Sequence, residues 1–167
     1  HGLQHGEWDL RGNVDAYLGS VALSGKRVLE LGTANGFVCF EMERRGAEVV
    51  GFDLGEGCDW DLVPFGGAKP SQVERHEISR RLHNAWWLTH SLVGSAARVC
   101  YGNVYEIPTS LGEFDVVTAG SILLHLRDPF SALEQAAAAA RSTVVVTDQM
   151  PVLARRNAVG ALQLLRR

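Results

Sequence analysis

Between residues 26 and 37 an apolar run closes on an acid and breaks into glycines: Lys26-Arg27-Val28-Leu29-Glu30-Leu31-Gly32-Thr33-Ala34-Asn35-Gly36-Phe37. Such a run, followed at once by a glycine-rich turn and then by helical spacing, is a strand handed directly to a helix. Glycine adopts backbone dihedrals that other residues avoid and lets a ligand come close to the main chain. The amides at the start of the helix can receive a carboxylate. The same rhythm recurs downstream. Apolar runs at 48–52, 97–101, 114–118 and 143–147 read as four further strands. Gly46 stands where a helix over 37–45 needs its C-terminal cap. Ser71-Gln72-Val73-Glu74 is a capping box for a helix reaching about residue 92. Asp128-Pro129 opens another helix over 129–141. Near-continuous apolar strands alternating with helices predict an α/β fold. Its sheet is doubly wound and mainly parallel, with helices on both faces and a ligand crevice at the carboxyl ends of the strands.

The 167 residues make one domain, with 46% hydrophobic and 21% charged side chains. No apolar run approaches the roughly 18 residues of a membrane span, and no secretory leader is recognisable at the start. Three widely spaced cysteines form no C-x-x-C pair, so neither a disulfide framework nor a metal site is expected, and the cytoplasm is the expected compartment. The net charge of -3 argues against a strong electrostatic hold on nucleic acid. The arginine pairs at 44–45, 80–81, 155–156 and 166–167 read as solvated helix ends. His76, His83 and His90 recur at intervals of seven. Residues so spaced are roughly 10.5 Å apart along a helix, share a face, and cannot ligate one ion. They form a surface or groove-lining stripe. Trp86 and Trp87 read as packing residues, one of which can face the crevice. Residues 55–67 read as a loop. Residues 1–25 admit two readings: an ordinary N-terminal helix around Ala16-Tyr17-Leu18, or a lid over a bound ligand.

Asp53 ends the second strand, beside the first turn in such a sheet, where a carboxylate can accept both hydroxyls of a ribose. A dinucleotide would call for G-x-G-x-x-G, but the corresponding places hold Gly32, Ala34 and Phe37. The spacing Glu30-x-Gly32-x-Ala34-x-Gly36 instead resembles the acid-x-G-x-G-x-G turn of class I S-adenosylmethionine-dependent methyltransferases. Ala34 is the one departure, and its methyl narrows the approach without blocking it. Two later segments share the resemblance: Gly102-Asn103-Val104 after the third strand, and Ser121-Ile122-Leu123-Leu124-His125-Leu126-Arg127-Asp128-Pro129 after the fourth. The likeness runs over about 25–149. Trp8-Asp9, 82–108 and the His125 segment are also similar to the branch of the tRNA wobble-uridine carboxymethyltransferase and related small-molecule methyltransferases.

The resemblance implies a Rossmann-like fold, S-adenosylmethionine as cofactor, and methyl transfer to a small-molecule acceptor by in-line displacement. Glu30, Gly32, Thr33, Ala34 and Gly36 would shape the methionine end. Asp53 with Leu54 would bind the ribose, and Asn103 with Val104 the adenine. Gly120 and Ser121 would wall the sulfonium, and Trp8 would close over the cofactor. His125 is the candidate base, because histidine changes charge near neutral pH; a structural hydrogen-bonder after the strand is its simpler reading. No metal is implied. The segment at 119–121 lacks the first acid of metal-dependent catechol methyltransferases, and 121–124 lacks the Pro-Pro turn of the adenine and glutamine N-methyltransferases. The family's fold ends in an antiparallel hairpin that the sequence does not show. Residues 154–167 read as a terminal helix after a core over 26–150, leaving the fifth strand as a bare edge. Covering by that helix, a second copy of the chain in a homodimer, or a fragmentary sequence would each account for this. Two alternatives stand: a tRNA-modifying carboxymethyltransferase, and a non-catalytic cofactor-binding module.

Overall fold

A computed structural model of the chain describes residues 9–61 and 70–148, and the backbone of Leu162–Leu165. In chain order the elements are α1 (Val14–Tyr17), β1 (Arg27–Leu31), α2 (Phe37–Arg44), β2 (Glu48–Asp53) and α3 (Gln72–Val93). Then come β3 (Arg98–Tyr101), β4 (Phe114–Gly120), α4 (Pro129–Ala139), β5 (Ala140–Thr147) and β6 (Leu162–Leu165). Short 3-10 turns lie at Thr109–Leu111 and Leu123–His125. The strands lie side by side in the order β3-β2-β1-β4-β5-β6. β1 to β5 are mutually parallel, and β6 runs antiparallel to β5.

Alternate residues of a strand face opposite sides of a sheet, and here the two sides carry separate cores. Val28, Val49, Val116 and Val145 pack with Val14 of α1, Leu18 just after it, Met42 of α2 and Trp86 of α3. Leu29, Val50, Val117 and Val144 pack with Ala136 of α4 on the other side. Continuing the alternation, Glu30, Gly51, Asp53, Thr118, Gly120 and Thr147 all belong to the first face, at or near the carboxyl edge. The register confirms the adjacency: Glu30 lies between Gly51 and Thr118, and Gly120 lies beside Thr147.

The helix starts follow their caps. The Ser71 side chain accepts the Glu74 amide while Glu74 reaches back to the Ser71 amide, so α3 begins with a complete capping box. Asp128 accepts the Ser131 amide at 3.0 Å, and Pro129 occupies the first helical position of α4. α4 stops at Ala139, short of the sequence expectation, because Ala140 already pairs with Phe114 as the start of β5.

The C-terminal helix expected over 154–167 is corrected at Leu162–Leu165, which form a strand; 149–161 and 166–167 lie outside the described residues. Leucine and glutamine favour helices in isolation. β5 presents a row of unpaired backbone groups, however, and pairing them outweighs that preference. Thr143 faces Leu165 and Val146 faces Leu162, so β5 is covered there rather than bare.

Phe114 is fully buried, whereas Phe130 is 78% exposed. Phe114→Ala is expected to lower stability by about 3–5 kcal/mol, and Phe130→Ala by less than about 0.5 kcal/mol, as read from urea unfolding.

Candidate functional site

The turn after β1 takes left-handed backbone at three alternate positions: Gly32 (φ +76), Ala34 (φ +49) and Gly36 (φ +83). Ala34 carries a Cβ in this conformation, which costs about 1–2 kcal/mol. An interaction with β2 offsets that cost: the Ala34 amide donates to Asp53 Oδ2 at 2.6 Å. The other Asp53 oxygen accepts the Leu54 amide at 2.7 Å. Burial pushes the Asp53 carboxyl above its ordinary pKa; the two backbone donors, and His83 of α3, pull it back down. A carboxylate has about four lone-pair sites, so two remain for a ligand. Gly36 is tightly enclosed. A Cβ there would lie 2.5 Å from the Phe40 ring and 2.6 Å from the Trp86 ring. The Phe37 amide at the start of α2 donates to Asn35 Oδ1 at 3.2 Å, so one helix-terminal donor is already engaged within the turn.

Glu30 is 6% exposed, and its Oε2 has no hydrogen-bond partner. Burial raises its pKa to about 7; a hydrogen bond with the Thr33 hydroxyl opposes the rise, and the nearby Asp53 charge adds to it. A buried polar atom without a partner is rare in native proteins. Thr33 turns inward and is itself buried, accepting the indole N–H of Trp86 at 3.2 Å. Glu30 and Asp53 thus present two carboxyls from neighbouring strands on one face, with the turn between them.

The opposite wall comes from the N-terminal segment. α1 buries Val14, and the following Leu18 is buried beside it, against the sheet, which brings Tyr17 to the carboxyl edge. The Tyr17 hydroxyl lies 3.4 Å from Ser121 Oγ, and Thr147 Oγ1 donates to the Tyr17 carbonyl at 2.5 Å. A Cβ at Gly120 would run into the Tyr17 phenol, so the ring requires a glycine beneath it. Ser121 takes φ +54 and is held there by its amide bond to the Thr147 carbonyl at 2.7 Å. Burial, with Glu30 and Asp148 nearby, raises the Tyr17 pKa, so the hydroxyl keeps its proton.

Of the other expected site residues, Leu54 follows Asp53 directly. Asn103 is exposed after β3, and its Oδ1 accepts the Tyr105 amide at 3.0 Å; Val104 packs on the second core. His125 is exposed on the 3-10 turn after β4. Trp8 lies outside the described residues. The histidine stripe faces the β3 side of the sheet: His83 packs on Tyr101 at 4.4 Å, and His90 Nε2 bonds the Ala97 carbonyl at 3.0 Å. Tyr17 and Trp86 are contributions whose roles local sequence signals do not assign.

An open cavity of about 370 Å³ lies apart from this site, lined by Asp61, Tyr105, Asp128, Ser131, Glu134 and Gln135. It shares none of the two-carboxyl face. Its walls are a brace between loops: Tyr105 donates to Asp61, Asp61 accepts the Arg127 amide at 2.9 Å, and the Asp128 amide donates to Tyr105 at 3.2 Å. Among the described residues no group of three or more His, Cys, Asp or Glu side chains is placed to hold a metal ion, and no helix is long and apolar enough to cross a membrane.

A family model described as a methyltransferase domain matches residues 6–163. A ubiquinone biosynthesis O-methyltransferase of Hahella chejuensis (strain KCTC 2396) is 34% identical over 123 residues, which is 72% of this chain and 41% of that protein. A protein of the same name from Pseudomonas aeruginosa (strain LESB58) is 31% identical over 117 residues, 66% of this chain and 38% of that one. The chain therefore spans 38–41% of the length of these two relatives. Solved structures share the fold. Magnesium protoporphyrin IX methyltransferase from Synechocystis PCC 6803, with bound SAM, gives a TM-score of 0.59 at 14% identity, covering 89% of this chain and 60% of that one. An O-methyltransferase family protein from Burkholderia thailandensis gives 0.57 at 16% identity, covering 90% and 41%.

Two outcomes are expected from the site as built. Gly36→Ala meets both a left-handed backbone and two aromatic rings, and should cost about 2–4 kcal/mol in urea unfolding; Gly12→Ala (φ +80, open space) should cost only about 1 kcal/mol. The Glu30 carboxyl holds its proton more tightly folded than unfolded. Its contribution to stability is therefore complete below pH 4.5 and is lost as pH rises towards 7. Relative to Glu30→Gln, the wild type should lose roughly 3 kcal/mol across that window, measured by unfolding at each pH.

Proposed function

The chain belongs to the methyltransferase-domain family, and from that premise we propose that it binds S-adenosylmethionine at the carboxyl edge of β1, β2 and β4 and transfers a methyl group to a small-molecule acceptor. The observation that carries the reading is the pair of carboxyls on one face. Glu30 is buried with an oxygen that lacks a partner, and Asp53 grips the glycine turn from the next strand. This donor set fits the cofactor. A cationic ammonium answers the orphaned Glu30 oxygen, and ribose hydroxyls answer the remaining lone pairs of Asp53.

Gly32, Ala34 and Gly36 bring the main chain close to the methionine end, and the buried Thr33 supports them from behind. Leu54 stands with Asp53 at the ribose, and Asn103 and Val104 flank the adenine end; Asn103 keeps one oxygen lone pair and its amide N–H groups for the base after capping its own turn. Gly120 and Ser121 form the wall beside the sulfonium, and Tyr17 roofs that wall. Trp8 completes the cofactor set from the N-terminal segment.

When bound, S-adenosylmethionine supplies a methyl group already activated on a sulfonium. The protein's task is therefore to fix geometry, and orientation alone is worth roughly 7–11 kcal/mol at the best effective molarities. Tyr17 and Ser121 order the acceptor side and exclude water from it. His125, exposed on the loop after β4, takes the acceptor's proton where the acceptor is a hydroxyl. The curated relatives are named as O-methyltransferases of ubiquinone biosynthesis, which favours an oxygen on a small organic molecule as the acceptor atom.

Calorimetry with S-adenosylhomocysteine tests the reading. The wild type should bind, and Asp53→Ala should weaken binding at least tenfold, about 1.4 kcal/mol. Unchanged affinity in the variant removes Asp53 from the site, and no binding by the wild type overturns the reading.

A further inference from the structure

Gly120 ends β4 on the same face as Glu30, two residues past Thr118, the β4 partner of Glu30. At about 3.3 Å per residue it stands roughly 7 Å nearer the carboxyl edge. Its φ is not left-handed, so no turn demands a glycine here. Tyr17 demands it. A Cβ at Gly120 would lie 2.8 Å from Tyr17 Cζ and 2.9 Å from Cε1, and closer still to the hydroxyl. The phenol from α1 therefore fills the place of the side chain that β4 omits. The backbone and the side chain of Tyr17 are held very differently. Its amide donates to the Asn13 carbonyl at 2.9 Å, and its carbonyl accepts from Thr147 Oγ1 at 2.5 Å. Val14 and Leu18, to either side, are 3% and 2% exposed. The ring is half-buried against the first core, and its hydroxyl meets Ser121 Oγ at 3.4 Å, beyond the usual range of an O–H···O bond. Lifting α1 would break two short hydrogen bonds and expose two buried side chains. Turning the phenol about its own torsions breaks one long contact and uncovers one ring face, which makes it far the cheaper motion.

We propose that the Tyr17 phenol is a gate on a fixed backbone: seated on Gly120 it closes the sulfonium end of the cofactor site, and rotated away it lets the ligand in and out. The inference rests on the S-adenosylmethionine reading above and adds to it the residue that sets how fast the site exchanges. Contact of the ring with Gly120 and with the first core favours the closed rotamer whether the site is empty or filled. The open fraction therefore scales the association and the dissociation rate alike, and the affinity, which is their ratio, changes little. A side chain that only touches the ligand behaves otherwise, because its loss speeds dissociation alone. The glycine is the second half of the device. A methyl group at residue 120 meets only the far end of the Tyr17 side chain, and that end can move, so the methyl evicts the ring while the strand stays in place.

The test is surface plasmon resonance with S-adenosylhomocysteine over the immobilised full chain, which reads both rates. Tyr17→Ala should raise association and dissociation at least about fivefold each, with Kd within about threefold of the wild type. Tyr17→Phe keeps the ring on Gly120 and gives up only the long contact to Ser121, so both rates should stay within about twofold. Gly120→Ala should raise both rates as Tyr17→Ala does. The two changes should not add: the double variant should exchange ligand as Tyr17→Ala does, and not at the product of the two single effects. Should Tyr17→Ala fail to fold, Tyr17→Leu takes its place, since leucine keeps an apolar contact with the core and lacks the Cε1, Cζ and hydroxyl atoms that cover Gly120. Tyr17→Ala rates that match the wild type, or faster dissociation with unchanged association, overturn the inference and leave the cofactor reading standing. Additive effects of Tyr17→Ala and Gly120→Ala overturn it too, because the methyl group then acts on the ligand and not on the ring. No binding by the wild type overturns the cofactor reading itself.

Discussion

The amide of Ala34 on the Asp53 carboxylate, at 2.6 Å, joins the end of one strand to the turn leaving its neighbour. Remove that bond and Ala34 has no reason to remain left-handed, since its Cβ opposes the conformation. The alternating positive dihedrals of the turn would then lose their middle member, and α2 would leave β1 in another direction. The parallel register of β1 and β2 is what delivers Asp53 to this point. Fold and candidate site therefore depend on the same contact: the carboxylate that shapes the turn is the one proposed to receive a ribose.

The sheet divides its labour by face. One face is apolar to the carboxyl edge, through Leu29, Leu31, Phe52 and Ala119. The other starts apolar at Val28, Val49 and Val116 and becomes polar at Glu30, Asp53 and Thr118. Burying an ionisable group without a full set of partners costs stability, and Glu30 does this at the centre of the molecule. The well-packed opposite face and the Trp86 cluster hold the structure together around that cost. Such local strain, tolerated because its surroundings are over-determined, is where function is usually found.

The N-terminal segment and the post-strand loops enclose the edge from outside. Tyr17 spans from α1 to Ser121, and the glycine below its ring leaves no slack in that contact. On the α4 side, Asp61, Tyr105 and Asp128 brace three loops to one another around a separate, acid-lined cavity. The family match and the solved methyltransferases share the sheet on which these elements sit. The chain spans 38–41% of the length of two curated relatives.

Much of this was legible in the residues themselves. The five parallel strands follow from apolar runs, α3 and α4 from their caps at Ser71 and Asp128, and the site's nucleus from Glu30, the glycine turn and Asp53. These are local signals, because dihedral preference, capping and periodicity act within a few residues of one another. What only the tertiary structure decided are the meetings between distant positions: Trp86 with Thr33 across 53 residues, Tyr17 with Ser121 across 104, and β6 on the edge of β5 where the sequence alone favours a helix. Such contacts are set by packing and by the need of unpaired backbone groups for partners, neither of which leaves a mark on local spacing.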